Sequence, residues 1–212
     1  MSIHTHSLIL AGLLALAGLA VGCTRSVQPA ASDYFSPTNE VISAYGLTLD
    51  ENASPEQTVW ALLQAIHDDV NTPMSSPEWQ ELIKLQCRLA NVELLRTRLK
   101  GNNQASRKKS EEMFFEVVKG WAAALNYYAE HFDDTLEQAL HRMTVRELND
   151  NKLPEQYRSV RVVDYVLTTG QPDSPPGLER GVDIRFFLAK TLKGYWRAYL
   201  LTLNPPPASS NS

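Results

Sequence analysis

Cysteine is scarce in this 212-residue chain: only Cys23 and Cys87 occur, so a disulfide framework is excluded and at most one bridge is possible. There is no Gly-x-Ser-x-Gly elbow, phosphate-binding loop, dinucleotide fingerprint or paired-cysteine motif, which leaves nucleophilic and nucleotide chemistry without a recognisable carrier. Neither sign of charge is in large excess. The formal net charge is -4, and this mild acidity argues against a nucleic-acid-binding surface over the whole protein. A continuous apolar run of the roughly twenty residues that a spanning helix requires is also missing. No period repeats along the chain, and its length suits one domain with an appendage.

What is present begins at the start of the chain. Residues 1–22 contain no Lys, Arg, Asp or Glu, and from Leu8 to Gly22 nearly every residue is Leu, Ile, Ala, Val or Gly. That length suits the apolar core of a secretory signal better than a permanent span. Small residues, Ala20 and Gly22, precede Cys23, where a peptidase must accept an extended chain, and the sequence turns polar at once. The stretch resembles a bacterial lipoprotein signal, with Ala20-Val21-Gly22-Cys23 matching the lipobox. It departs from that pattern in two places: MSIHTHS lacks Lys and Arg, and position 20 is Ala where Leu is preferred. The resemblance implies that 1–22 is a signal peptide and that Cys23 becomes an acylated N-terminus. Two or three acyl chains, at about 0.8 kcal/mol per buried methylene, would then hold the protein to a membrane. Thr24, not being Asp, implies by the same resemblance the outer membrane, facing the periplasm. A buried apolar helix, or cleavage at some other small residue, is the alternative. If Cys23 is a thioether, Cys87 has no partner and is expected to be buried and inert.

Residues 23–52 mix Ser, Thr, Pro and Asn around scattered apolar positions and read as a flexible tether, partly ordered near its end. The closing residues 205–212, PPPASSNS, read as a disordered tail. Between them, 53–204 reads as a single α+β domain. Ser54-Pro55-Glu56-Gln57 is a helix start, followed by Val59, Leu62, Leu63, Ile66 and Val70 at helical spacing. Ser76-Pro77-Glu78 repeats the signal, and Leu82, Leu85, Leu89, Val92, Leu95 and Leu99 continue in steps of three or four towards Gly101. A third helix beyond GNNQAS carries Met113, Phe114, Val117, Val118, Trp121, Leu125 and Tyr128, and would form an antiparallel hairpin with the second. A short helix around Asp134 to Arg142, capped by Asp133 or Asp134, follows. RSVRVVDYVLTT, VDIRFFLAKTL and YWRAYLLTL then alternate in the strand manner, predicting three antiparallel strands covered by the helices.

SPEQTVWALLQAI at one end and GVDIRFFLAKTLKGYWRAYLLTL at the other resemble the nuclear transport factor 2-like superfamily, with Lys193, Gly194 and Trp196 fitting the closing hairpin. The resemblance spans residues 54–70 and about 156–203 and leaves out the charged helices of 76–131. It implies a cone, in the nuclear transport factor 2-like or cystatin-like manner, whose pocket serves catalysis in some members and binding alone in others.

Several side chains are candidates for chemistry. His67-Asp68-Asp69 and His131-Phe132-Asp133-Asp134 combine imidazole with carboxylates as zinc or iron sites do, yet sit where helices end and Asp serves as a cap or turn residue. We expect no metal or other cofactor. Glu137 and His141 share a helix face without HExxH spacing. Asp164, Asp183 and Arg185 interrupt apolar strands, and in a cone either carboxylate would serve as a general base; on a solvated strand face they need no further role. Trp60, Trp121, Tyr128 and Trp196 would line a pocket with Asp164 and Asp183, or simply fill the core. The basic stretch from Arg96 to Lys109 reads as a solvated hairpin tip. The expected function is therefore a non-catalytic envelope lipoprotein that binds an unknown protein or a small apolar ligand and no nucleic acid. The alternative is a small hydrolase or isomerase in a cone-shaped pocket.

Overall fold

The computed structural model describes residues 40–94, 104–168, 178 and 181–204. The apolar leader, Cys23, the first part of the basic stretch (Arg96, Arg98 and Lys100) and the tail from 205 lie outside the described residues. Among those described, no helix is long and apolar enough to cross a membrane.

The described chain opens on a small hairpin, β1 (Ile42–Ala44) and β2 (Leu47–Leu49). Tyr45 and Gly46 both take positive φ, 52° and 74°, the backbone of a two-residue turn whose twist matches its strands. The hairpin buries Ile42 and Leu49 in the same core as the helices, so order sets in within the stretch read as a tether.

Helix α1 (Pro55–Asn71) begins where its local chemistry dictates. The Ser54 hydroxyl accepts from the Gln57 amide, and the Gln57 side chain accepts from the Ser54 amide, so two otherwise orphaned donors are satisfied. Its buried face is Thr58, Val59, Ala61, Leu62, Leu63, Ala65 and Ile66. Helix α2 (Pro77–Leu89) starts on the Ser76 cap. It ends earlier than the leucine spacing predicts. At Ala90 the backbone leaves the helix to pair with Ala198, and the Asn91 amide donates to the Ala198 carbonyl at 2.6 Å. The buried Asn91 side chain then donates to the Ala189 carbonyl and accepts from the Leu94 amide, so the polar groups freed by ending the helix find partners on the sheet and in the chain just beyond. Helix α3 (Gln104–Ala129) packs mainly on α1 and makes fewer contacts with α2; the connection expected between the two lies partly outside the described residues. Helix α4 (Leu136–His141) is capped by Thr135 with Gln138 in the capping box; neither Asp133 nor Asp134 is the cap.

The C-terminal sheet has four antiparallel strands in the order β3-β4-β5-β6, one more than the alternation reveals: β3 (Met143–Asn149), β4 (Ser159–Leu167), β5 (Val182–Lys190) and β6 (Trp196–Asn204). Strand β3 is an edge, only Met143 of it is buried, and a strand exposed on both faces carries no apolar alternation to read. A short 3-10 turn (Glu155–Tyr157) links it to β4. Between β5 and β6, Gly194 takes φ 90° and its amide donates to the Thr191 carbonyl, closing the tight hairpin expected at Lys193-Gly194.

Helices packed on a C-terminal antiparallel sheet make this an α+β domain. Val163, Tyr165, Leu167, Ile184, Phe186 and Leu188 face the helices and merge with α1 and α3 side chains into the main core. The reverse face carries a smaller cluster of Leu94, Leu153, Tyr157, Val160, Val162, Ala189 and Tyr199, which covers only one end of it.

Candidate functional site

The two His-Asp-Asp stretches are spent on structure. The His67 Nδ1 lies 2.7 Å from the Ala129 carbonyl, which can only accept, so that nitrogen carries the proton and ties α1 to the end of α3. Asp68 accepts from the Tyr45 hydroxyl at 2.9 Å and Asp69 from the Gln86 side chain at 3.0 Å. Three consecutive residues thus point to three different elements. The Tyr45 phenol is held protonated well beyond its ordinary range, first by burial and then by Asp68.

In the second stretch the residues separate in the same way. Asp133 is exposed, His131 sits 3.4 Å from Glu130, and Asp134 is buried at 8% exposure. The Asp134 carboxylate accepts from the Tyr165 hydroxyl at 2.7 Å and lies 3.4 Å from Arg142 Nε. Its backbone carbonyl accepts from the Trp60 indole at 3.2 Å. Burial and then Asp134 raise the Tyr165 phenol above its ordinary range. This knot of Asp134, Tyr165, Arg142 and Trp60 joins α1, the chain before α4, and strand β4. Glu137 and His141 are both exposed on α4.

The expected pocket set divides between the two faces of the sheet. Trp121, at 7% exposure, and the partly buried Trp60 and Tyr128 pack into the main core on the helical side. Trp196 lies under two cations, with Arg161 and Lys190 at 5.4 and 5.0 Å from its ring centroid. Asp164 and Asp183 alternate with core-facing neighbours and therefore occupy the reverse face. There Asp164 pairs with Arg185 directly across the strand and has Arg146 Nε at 3.6 Å on its other side, so both carboxylate oxygens have cationic partners. A general base needs a free lone pair aimed at a substrate proton; this carboxylate is committed to two guanidiniums.

Among the surface depressions formed by described residues are three that neither Asp164 nor Asp183 lines. One of about 320 Å³ lies between α1, α2 and α3, walled by Val70, Met74, Trp79, Ile83 and Ala122 with Lys119 at the rim. Another of about 470 Å³ combines Leu82 and Leu85 with Asp68, Glu78 and Glu81, and a third of about 520 Å³, beside Glu147, Glu155, Arg158 and Arg161, is charged. No group of three or more His, Cys, Asp or Glu side chains converges among the described residues.

Two features were not visible as special in the sequence. Arg197, within YWRAYLLTL, is 1% exposed and has no carboxylate partner among the described residues. Its guanidinium donates to the Trp196 and Glu40 carbonyls at 2.7 and 3.1 Å, and burial, with Arg88 nearby, pushes its pKa down to about 10. It fastens Glu40 to β6. Gln86 is fully buried and bridges the Ala65 carbonyl and Asp69. The signal for Arg197 was a charge in an apolar strand; its burial depends on residue 40, far away in sequence. Cys87 is buried and free, and burial pushes its thiol up to about 12, which keeps it from being a nucleophile.

No protein-family model and no curated protein matches this chain.

Proposed function

We propose that this chain is an envelope lipoprotein, tethered by a lipid on Cys23, whose α+β domain is a non-catalytic binding or interaction module. The observation that carries the reading is the apolar run ending at Ala20-Val21-Gly22-Cys23 with a polar chain directly behind it. The acylated residue would face the periplasm from the outer membrane, with the tether allowing the domain to stand off from the bilayer. The partner is a protein or a small apolar ligand; the groove of Val70, Met74, Trp79 and Ile83 offers walls of that character. The likeness to the nuclear transport factor 2-like superfamily is compatible with a binding role. The catalytic alternative, a hydrolase or isomerase using Asp164 or Asp183, gains nothing at Asp164, whose carboxylate is held by Arg185 and Arg146.

Mass spectrometry of the membrane fraction tests the anchor: the expected N-terminus is Cys23 with added acyl mass, and Cys23→Ala is expected to release the domain from membranes. An N-terminus at Met1, or firm membrane retention of Cys23→Ala, overturns the assignment.

A further inference from the structure

Arg197 carries a charge that its hydrogen bonds do not balance. The residue is buried, and among the described residues its guanidinium donates only to the main-chain oxygens of Trp196 and Glu40. The Tyr195 ring closes another side, 5.5 Å from the guanidinium carbon. A carbonyl satisfies an N–H but does not neutralise a cation, and a cation taken out of water without an opposite charge is strongly disfavoured. A second cation adds to the imbalance. Arg88, in the last turn of α2, reaches the same residue, with its Nη2 3.8 Å from a Glu40 carboxylate oxygen. That separation suits an ion pair but exceeds a hydrogen bond, and the Glu40 side chain is 54% exposed, so the pairing is weak. The Nε atoms of Arg88 and Arg197 are both buried and have no hydrogen-bond partner among the described residues.

Two guanidiniums therefore converge on Glu40 with one half-exposed carboxylate and two buried donors left over. A guanidinium fork is matched by the paired oxygens of a carboxylate or a phosphate. The geometry points to an oxyanion site at Arg88 and Arg197, where the end of α2 and the chain before β1 meet β6, completed by one further carboxylate or a small inorganic oxyanion. Arg88, with a side chain 29% exposed, is the arm within reach of solvent, and Arg197 is the buried one.

Such an oxyanion has two sources. One is solution. The other is this chain, in which Asp33 is the only acidic residue ahead of Glu40. Seven residues of extended chain span up to about 24 Å, and with residue 40 held by both arginines that carboxylate is presented to the site at an effective concentration on the order of millimolar. The chemistry of recognition is the same in both cases and the consequence differs: a solution anion makes this a ligand site, whereas Asp33 makes it a clasp between β6 and the chain ahead of the domain.

The test is thermal melting of the full chain in non-ionic detergent, with inorganic phosphate as the probe and sodium chloride at matched ionic strength as the reference. Arg88→Gln is the variant to use, because its side chain reaches the surface, whereas removing buried Arg197 disturbs the packing of β6. If solution supplies the anion, phosphate in hundredfold excess over its Kd is expected to raise the melting temperature by about 5–10 °C in the unaltered chain and equally in Asp33→Asn. If Asp33 supplies it, phosphate moves the unaltered chain little, Asp33→Asn melts several degrees lower, and phosphate restores it. In both cases Arg88→Gln loses the phosphate response, and in the second Asp33→Asn adds nothing to Arg88→Gln. A phosphate response that survives Arg88→Gln is a general salt effect and overturns the proposal. So does an Asp33→Asn variant that melts with the unaltered chain while phosphate moves neither. A response that appears only after Glu40→Gln would mean that the Glu40 carboxylate already fills the site, and overturns it equally.

Discussion

Tyr165→Phe removes one oxygen and nothing else, and the structure says what that oxygen does. The ring stays, so no cavity opens and the edge-on contact with Phe132 at 6.4 Å is kept. The hydroxyl donates at 2.7 Å to Asp134, a carboxylate that is 8% exposed, from a tyrosine that is 1% exposed. A buried hydrogen bond to a charged acceptor contributes about 1.5–3 kcal/mol, and its loss also leaves the carboxylate short of a donor. Arg142, at 3.4 Å from the same oxygen, remains and limits the damage. The expected loss is therefore about 2 kcal/mol, equivalent to roughly 4–8 °C in melting temperature for a domain of this size. Urea unfolding followed by tryptophan fluorescence measures it, and Trp60, whose indole donates to the Asp134 carbonyl, sits close enough to report. Asp134→Ala should cost more, because it strands both the hydroxyl and Arg142, and Asp134→Asn less, because an amide oxygen still accepts. The alkaline limb supplies a second readout. A phenol whose folded pKa is raised contributes stability that is complete below its unfolded pKa and is lost as pH climbs above about 10. Tyr165→Phe should flatten part of that decline. A variant within about 0.5 kcal/mol of the unaltered protein, or a double-mutant cycle with Asp134→Asn giving no coupling, would refute the reasoning.

Other consequences are more local. The buried Cys87 thiol, pushed up to about 12, should resist thiol reagents in the native protein at neutral pH; because the folded state keeps its proton longer than the unfolded chain, its contribution fades above about pH 9, and Cys87→Ala should lessen that fading. Ser54→Ala breaks the capping box of α1 and should cost about 1 kcal/mol in urea unfolding, with Ser54→Asp restoring most of it. Gly194→Ala forces an L side chain into φ 90° and should lower the melting temperature by a few degrees, about 1 kcal/mol, although no atom crowds the site closer than 3.8 Å. Unimpaired melting of Gly194→Ala would show that the turn relaxes.

How far the sequence could be read follows from how far apart the partners lie. Helix starts were legible because a cap and its recipient are three residues apart, as Ser54 and Gln57 are, and the chemistry closes on itself. Strands β4, β5 and β6 were legible because burial imposes alternation, and α+β followed from the order of elements. The end of α2 was not. Its leucines keep their spacing past Leu89, but Ala90 and Asn91 bond to Ala198 and Ala189, about a hundred residues on. Strand β3 escaped notice because an exposed edge needs no apolar pattern.

The candidate site divides along the same line. From residues 1 to 23 alone came the expectation of a lipid anchor, since a leader is read by its composition and needs no folded partner. Only tertiary structure decided that Asp134 is buried under Tyr165 while its neighbour Asp133 is exposed, and that Asp164 is clasped by Arg185 and Arg146 on the face away from the helices. The physical reason is that composition reports how much apolar surface a segment has, whereas the neighbours that cover it, or fail to, are set by contacts between residues far apart along the chain.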